Sequence, residues 1–425
     1  MSEILILTLG SRGDVQPYVA LGAELARRGH HVTLSTGQGF DALVDGHGHS
    51  HGLTAAPLSV DIRALAEKPD VRAALKSPKG LVKLFRSSGA LMQRVLDEMW
   101  AVACQVAPDI ILYHPKAFLA PYFARALGCI AVPGFLQPAF TPTGAFANPL
   151  LPLPPLGAAG NRLSDYAMLA LMRLGYGTLL RKWLPRHDSV PDRPRLDVLG
   201  GYHPSGGPVP RLYGHSRHMV PKPSDWGPVD HVTGYWFLGG ASGWEPPADL
   251  AAFIASGPPP VYLGFGSMPA VDDGRAMAAV LAALRRTDTR AVLAKGWGVL
   301  ATAETTDTVH VIDSVPHDWL FPRCSAVVHH GGAGSTHEGL RWGRPTLVCP
   351  VFGDQPFWGR TVSGLGAGPA PVSLKKLDAG ALAGALAALR SDRVRDAADR
   401  LGARIRSEGG TTAAADLIDA IPPAA

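Results

Sequence analysis

Apolar and polar positions alternate along the chain in two rhythms. Short continuous apolar runs that end in glycine read as strands buried on both faces, and stripes spaced three and four apart read as helices. The first run is Ile4–Leu9, followed by the loop GSRGD and a helix opened by Pro17, with Tyr18, Leu21, Gly22 and Leu25 on one face. Arg27 and Arg28 suit the C-terminal dipole, Gly29 ends the helix, and His30–Thr36 is the next strand. Asp109–Tyr113 and Ile130–Gly134 continue the series. Between Pro138 and Leu184 the rhythm loosens into TPTGAFANPLLPLPPLG and then a Leu- and Met-rich helical stretch suited either to ordinary packing between elements or to covering an apolar groove.

Val220–Pro228 (VPKPSDWGP) reads as an interdomain connection, after which the pattern restarts. PVYLGFGSM (260–268) repeats the strand, glycine and serine layout of the N-terminus, and AVLAK, VHVI, AVVHH and TLVCPV follow as strands. The expectation is an α/β protein of two Rossmann-like doubly wound halves facing across a cleft. Its parts are an N-terminal domain 1–222, a linker 223–232, a C-terminal domain 233–400, and a helical tail 401–425 packing across both.

Composition narrows the class. Over 425 residues, 46% are hydrophobic and the charge is +5, which gives sizeable cores and excludes a disordered chain. The interspersed charges suit a small anionic ligand better than a nucleic-acid stripe. Cys104, Cys129, Cys324 and Cys349 form no C-x-x-C pair, so a reducing cytoplasmic setting is expected. The N-terminus MSEILILTLG lacks a basic leader, and YAMLALMRLGYGTLL is too short and broken to span a bilayer; a soluble protein is expected. Alternating His47, His49 and His51 in DGHGHSHG allow a metal site, but the glycines favour a solvated loop.

The strongest chemistry lies in HHGGAGSTHEGLRWGRPTLVCPVFGDQPFWG (329–359). Strand, glycine turn and helix N-terminus make an anion site, because free N–H groups and the positive dipole end converge there. Ser335 and Thr336 offer hydroxyls, and His330 offers a cation or an N–H. No lysine follows the glycines and no G-x-G-x-x-G occurs, so neither a Walker loop nor a dinucleotide fingerprint is present. One strand later, Asp354 and Gln355 pair a carboxylate with an amide, as vicinal hydroxyls require.

The 329–359 segment resembles the donor-binding signature of nucleotide-sugar-dependent glycosyltransferases of the GT-B fold. It is similar to that of sterol glucosyltransferases and related bacterial natural-product and glycolipid glycosyltransferases. GSRGDVQP (10–17) resembles the N-terminal loop of that group, and DWGPVDHVTGYWFL (225–238) its entry into the second domain. The resemblance implies Asp14 as general base for the acceptor hydroxyl, with Ser11 and Arg12 facing the donor diphosphate or sugar. It implies a diphosphate cradle of Ser267, His330, Gly332, Gly334, Ser335 and Thr336. Trp297, Val315 and Pro316 would recognise the base, and Asp354 and Gln355 the sugar.

The implied reaction is inverting transfer of a hexose from a UDP- or dTDP-sugar to a hydroxyl of a lipophilic acceptor: sterol-like, polyketide-like or glycolipid. The donor is a co-substrate, no cofactor is implied, and no D-x-D occurs, so metal-independent transfer is expected. A lipophilic acceptor adds peripheral contact with a membrane; no obligate protein partner or nucleic acid is implied. Alternatives are a sugar-nucleotide epimerase or hydrolase on the same fold, or a silent nucleotide-sugar-binding partner.

Overall fold

The computed structural model describes residues 1–48, 52–68, 71, 88–190, 197–240, 244–266, 274–296, 300 and 303–424. Seven strands form the first sheet: β1 (Glu3–Leu7), β2 (His31–Thr36), β3 (Leu53–Pro57), β4 (Ile110–Tyr113), β5 (Ile130–Phe135), β6 (Arg211–Tyr213) and β7 (Asp230–Val232). All pair in parallel, in the order β3-β2-β1-β4-β5-β6-β7. The continuous apolar runs follow from two-sided burial. Leu5, Leu7, Ile111 and Tyr113 enter one core with Leu96, Met99 and Phe123, whereas Ile4, Ile6, Ile110 and Leu112 enter the opposite core with Tyr18 and Leu21.

The second sheet is also parallel, in the order β10-β9-β8-β11-β12. It is built from β8 (Val261–Gly264), β9 (Ala291–Ala294), β10 (Val309–Ile312), β11 (Ala326–His329) and β12 (Thr346–Val348). Each sheet reverses its strand order once, between β1 and β4 and between β8 and β11. Ligands of doubly wound sheets bind at such points, outside the carboxyl ends of the strands.

Helices of the first half are α1 (Arg12–Arg27), α2 (Asp41–Gly48), α3 (Ile62–Glu67), α4 (Gly89–Val106), α5 (Ala120–Leu127) and α6 (Gly157–Trp183). Those of the second are α7 (Ala248–Ala255), α8 (Arg275–Arg286), α9 (His317–Leu320), α10 (Ala333–Arg341), α11 (Gln355–Gly364), α12 (Ala379–Leu389), α13 (Asp392–Arg406) and α14 (Thr411–Asp419).

Three local expectations change. Helix α1 starts at Arg12, not Pro17: Ser11 is the N-cap, and its N–H donates to the Asp14 carboxylate (2.8 Å), as in a capping box. Pro17 therefore lies inside the helix. Second, the stretch 223–232 is packed and contributes β7. Trp226 is buried on Tyr213 (4.3 Å between rings) and donates from Nε1 to the Thr141 carbonyl (3.1 Å). Proline and aspartate mark a tight turn into a strand as readily as a linker. Third, His47 lies in α2, its ring bridging the carbonyls of Leu43 (2.9 Å) and Gly239 (2.8 Å); His49 and His51 lie outside the described residues.

The tail divides between the halves. Helix α13 packs on α10, whereas α14 returns to α1, burying Ala414, Ala415 and Ile418 in the first sheet's core.

Candidate active site

On the first side of the cleft, β1 delivers Ser11, Arg12 and Asp14 into the first turn of α1, and β4 delivers His114 and Lys116 beside them. The Asp14 carboxylate is 19% exposed. Its Oδ2 accepts from the Ser11 N–H (2.8 Å) and hydroxyl (3.1 Å) and pairs with Lys116 Nζ (3.0 Å), while Oδ1 faces His114 Nε2 at 3.5 Å. Burial acts to raise this carboxyl, but Lys116, His114 and the Ser11 bond together hold it below the ordinary aspartate range. His114 itself is pushed down to about 3, chiefly by burial and then by Lys116. Its Nδ1 accepts the Lys116 N–H (3.1 Å), which assigns the proton of the neutral ring to Nε2, the atom facing Asp14. Arg12 Nε donates to Gln16 (2.8 Å), and its guanidinium lies within electrostatic reach of Asp318 and Tyr262 of the second half.

On the opposite side, His330 follows β11 and lies between two glycines. A Cβ on Gly266 would sit 2.9 Å from His330 Cε1, and one on Gly332 2.7 Å from Nε2, so the ring needs both positions bare. Burial pushes His330 down to about 4, and Nδ1 is a buried nitrogen with no hydrogen-bond partner. Burial thus favours the neutral ring, which can supply an N–H.

Gly332 caps α10 without a side-chain capping bond, and Thr336 is the first residue whose N–H bonds back, to the Gly332 carbonyl (3.0 Å). The N–H groups of Ala333, Gly334 and Ser335 precede that first intrahelical bond, as at any helix start. Ser335 is half-buried. Thr336 departs from expectation: fully buried, its hydroxyl donates to the Gly332 carbonyl (2.8 Å) and so offers nothing to the cleft. A helical threonine satisfies itself this way when it faces the core.

Val315 and Pro316 follow β10. The Val315 side chain packs with Tyr262, Leu320 and Phe321, which leaves its backbone as the group able to meet a ligand. Ser267 and Trp297 lie outside the described residues. Asp354 occupies the N-cap position of α11 without making a capping bond. Its Oδ2 instead accepts from Trp358 Nε1 (2.8 Å), and Gln137, after β5, bonds to it from the other half. Burial pushes the Asp354 carboxyl up to about 6, and the charge of Asp14 adds to the rise while the two bonds oppose it. Gln355 is buried, its Oε1 accepting from the N–H groups of Val351 (2.8 Å) and Phe352 (3.2 Å), which fixes the turn presenting Asp354.

The two halves thus place Asp14 and Asp354 within electrostatic reach of one another across one cleft. Sequence reasoning missed His114, Lys116 and Gln137. The available signal was HPK and LQ directly after apolar runs that become the next two parallel strands on one side of the first.

Two family models match the chain. Residues 4–125 match the glycosyltransferase family 28 N-terminal domain, and residues 278–419 match the erythromycin biosynthesis protein CIII-like C-terminal domain. The chain is 36% identical over 422 residues to sterol 3-beta-glucosyltransferase UGT80A2 of Arabidopsis thaliana, covering 97% of this chain and 64% of that protein. It is 35% identical over 437 residues to UGT80B1 of the same plant, covering 99% of this chain and 68% of that protein. It therefore spans about two thirds of these relatives' length.

Among solved structures, the kitacinnamycin glycotransferase superposes with a TM-score of 0.68 at 22% identity, covering 98% of both chains. VinC in complex with dTDP gives 0.65 at 19% identity, with 98% of both chains covered. The spinosyn rhamnosyltransferase SpnG with spinosyn aglycone gives 0.63 at 18%, covering 98% of this chain and 100% of that one. The fold is GT-B, and the chain belongs to the sterol 3-beta-glucosyltransferase family of glycosyltransferases.

Proposed function

We propose that the chain is an inverting O-glycosyltransferase that moves a hexose from a UDP- or dTDP-sugar to a hydroxyl of a lipophilic acceptor. The observation that carries this reading is that Asp14, held in its charged form, lies across one cleft within electrostatic reach of Asp354, whose neighbour Gln355 packs on Gly331 just before α10. Asp14 accepts the acceptor proton as the hydroxyl oxygen bonds to the anomeric carbon, and the bond from that carbon to the diphosphate oxygen breaks on the opposite face. Charge develops on the leaving diphosphate. The free N–H groups of α10, the positive end of its dipole, the His330 N–H and the Ser335 hydroxyl meet that charge without a metal ion. Gly332 and Gly334 let the phosphates approach the backbone, Ser11 and Arg12 face them from the other side, and Ser267 completes the cradle. Asp354 and Gln355 meet the sugar hydroxyls. Val315, Pro316 and Trp297 hold the base. VinC, captured with dTDP, and SpnG, captured with an aglycone, support donor and acceptor of these classes, and the sterol glucosyltransferase relatives support a lipophilic alcohol.

The test is thermal melting with UDP, dTDP, GDP, ADP and NAD, followed by transfer assays with a sterol in the presence of chelator. A ligand at a hundred times its Kd adds about 2.7 kcal/mol, so UDP or dTDP should raise Tm visibly. Asp14→Asn should keep that shift and lose turnover. A shift with NAD alone, or none with any diphosphate, would overturn the reading.

A further inference from the structure

Helix α6 carries apolar side chains on both its inner and its outer side, and among the described residues only the inner side is covered. Its inner side buries Leu169, Leu179 and Trp183 and stacks Tyr176 on Phe118 (4.2 Å between rings). Its outer side carries Leu163, Tyr166, Leu171 and Leu174, exposed by 69, 58, 63 and 66%. Their spacing of three, five and three residues, with exposed Ala167 and Ala170 between, puts them on one stripe of the helix. Leu156, just before the helix, is exposed as well. Single exposed leucines need no explanation; this concentration on one element does.

Charge indicates what covers the stripe. From 157 to 186 the chain holds five basic residues (Arg162, Arg173, Arg181, Lys182 and Arg186) and one acid, Asp165. Asp165 is buried, accepting from the Thr143 N–H (2.8 Å) and Asn148 Nδ2 (2.8 Å). Arg162 and Arg173 pair with Asp225 and Asp197, and Arg186 with Asp97, while Arg181 and Lys182 are exposed at the end of the stripe. The outer side therefore presents apolar side chains and a tyrosine, with Arg181 and Lys182 exposed at its end, while Asp225, Asp197 and Asp97 already answer the other three cations. That is the chemistry of a surface lying in an anionic lipid headgroup layer.

The start of α6 also adjoins the cleft. Asn161 Nδ2 donates to the Gly144 carbonyl (2.9 Å), and Phe146 of the same loop meets Phe357 of α11 (5.4 Å between rings).

We propose that the outer face of α6 docks the protein on anionic bilayers. Leu163, Tyr166, Leu171 and Leu174 enter the boundary between headgroups and acyl chains, and Arg181 and Lys182 meet the lipid phosphates. The cleft mouth then opens beside the membrane, where a lipophilic acceptor resides. The docking itself does not depend on the donor reading.

Flotation of the full chain with phosphatidylcholine vesicles, with and without phosphatidylglycerol, tests this. The expected result is binding that is stronger with phosphatidylglycerol and weakened by salt. The double substitution Leu171→Glu with Leu174→Glu should lower vesicle partition about tenfold or more. Leu163→Ser with Tyr166→Ser should lower it by a smaller factor, and Arg181→Glu with Lys182→Glu should remove the preference for anionic lipid. Unchanged melting temperature and an unchanged response to UDP identify folded variants. Wild-type protein that ignores both vesicle types while UDP still raises Tm would overturn the docking and leave the glycosyltransferase reading intact. So would a dimer in light scattering that the leucine substitutions dissolve with no vesicle binding, since a second copy would then be the occupant.

Discussion

At the scale of single residues, the decisive contact is the pair formed by Asp14 and Lys116. It exists because Gly10 has no side chain: a Cβ there would lie 2.2 Å from Asp14 Oδ2 and 2.6 Å from Lys116 Nζ, at a φ of +146°. The cation keeps Asp14 charged to lower pH than an isolated aspartate, so the base form persists into mild acid. Removing that cation reverses the sign. Lys116→Met should raise the Asp14 pKa and move the acid limb of kcat/KM to higher pH, read from a pH–rate profile of both proteins. An unmoved limb would mean that Asp14 is not the group titrating there. The motif GSRGD placed Asp14 from sequence, and HHGGAGS placed His330. Lys116 and His114 lie a hundred residues further on, and only the β1–β4 pairing brings them in. The neutrality of His330 was equally hidden, because it follows from burial between Gly266 and Gly332.

At the scale of elements, the strands were the most legible part, since two-sided burial leaves an uninterrupted apolar run. Helix starts were less so. Pro17 looks like a first-turn proline, but the bond from the Ser11 N–H to Asp14 sets the start five residues earlier. Helix α6 runs through Gly175 and Gly177, where propensity alone suggests an interruption. The tail helix α14 is held by both charge and packing. Arg28 pairs with Asp416 and Asp419 (2.8 Å each) and donates to the Thr412 carbonyl (3.0 Å), while Ile418 is 1% exposed in the first sheet's core. Surface pairs of this kind contribute little, so the buried isoleucine should dominate. Ile418→Ala is expected to cost about 2–5 kcal/mol in denaturant unfolding, and Asp416→Ala under about 1 kcal/mol. The reverse ranking would show that ion pairs, not the core, dock the tail.

At the scale of the whole molecule, the two halves are coupled through charge. Asp354, pushed up to about 6 by burial with help from Asp14, changes protonation in a range where most carboxylates do not. Because its folded-state pKa lies above the ordinary value, the proton is held more tightly in the folded protein, and that stabilisation disappears as pH rises through about 6. If Asp354 meets the sugar as proposed, its ionised form accepts the stronger hydrogen bonds from hydroxyls, so affinity for the nucleotide sugar should fall as pH drops below that point. Affinity for the nucleoside diphosphate alone, which lacks the sugar assigned to Asp354 in the proposed reading, should change less. Titration calorimetry of both ligands between mild acid and neutrality measures the difference. The cleft geometry predicts one more consequence. Asp14→Asn removes a negative charge from the opposite half, and so should lower the Asp354 pKa and shift the sugar-dependent limb to lower pH. The variant needs no turnover for this readout. If Asp14→Asn leaves that limb in place, the two carboxylates do not share a cleft in solution, and the face-to-face arrangement on which the proposed transfer depends is wrong.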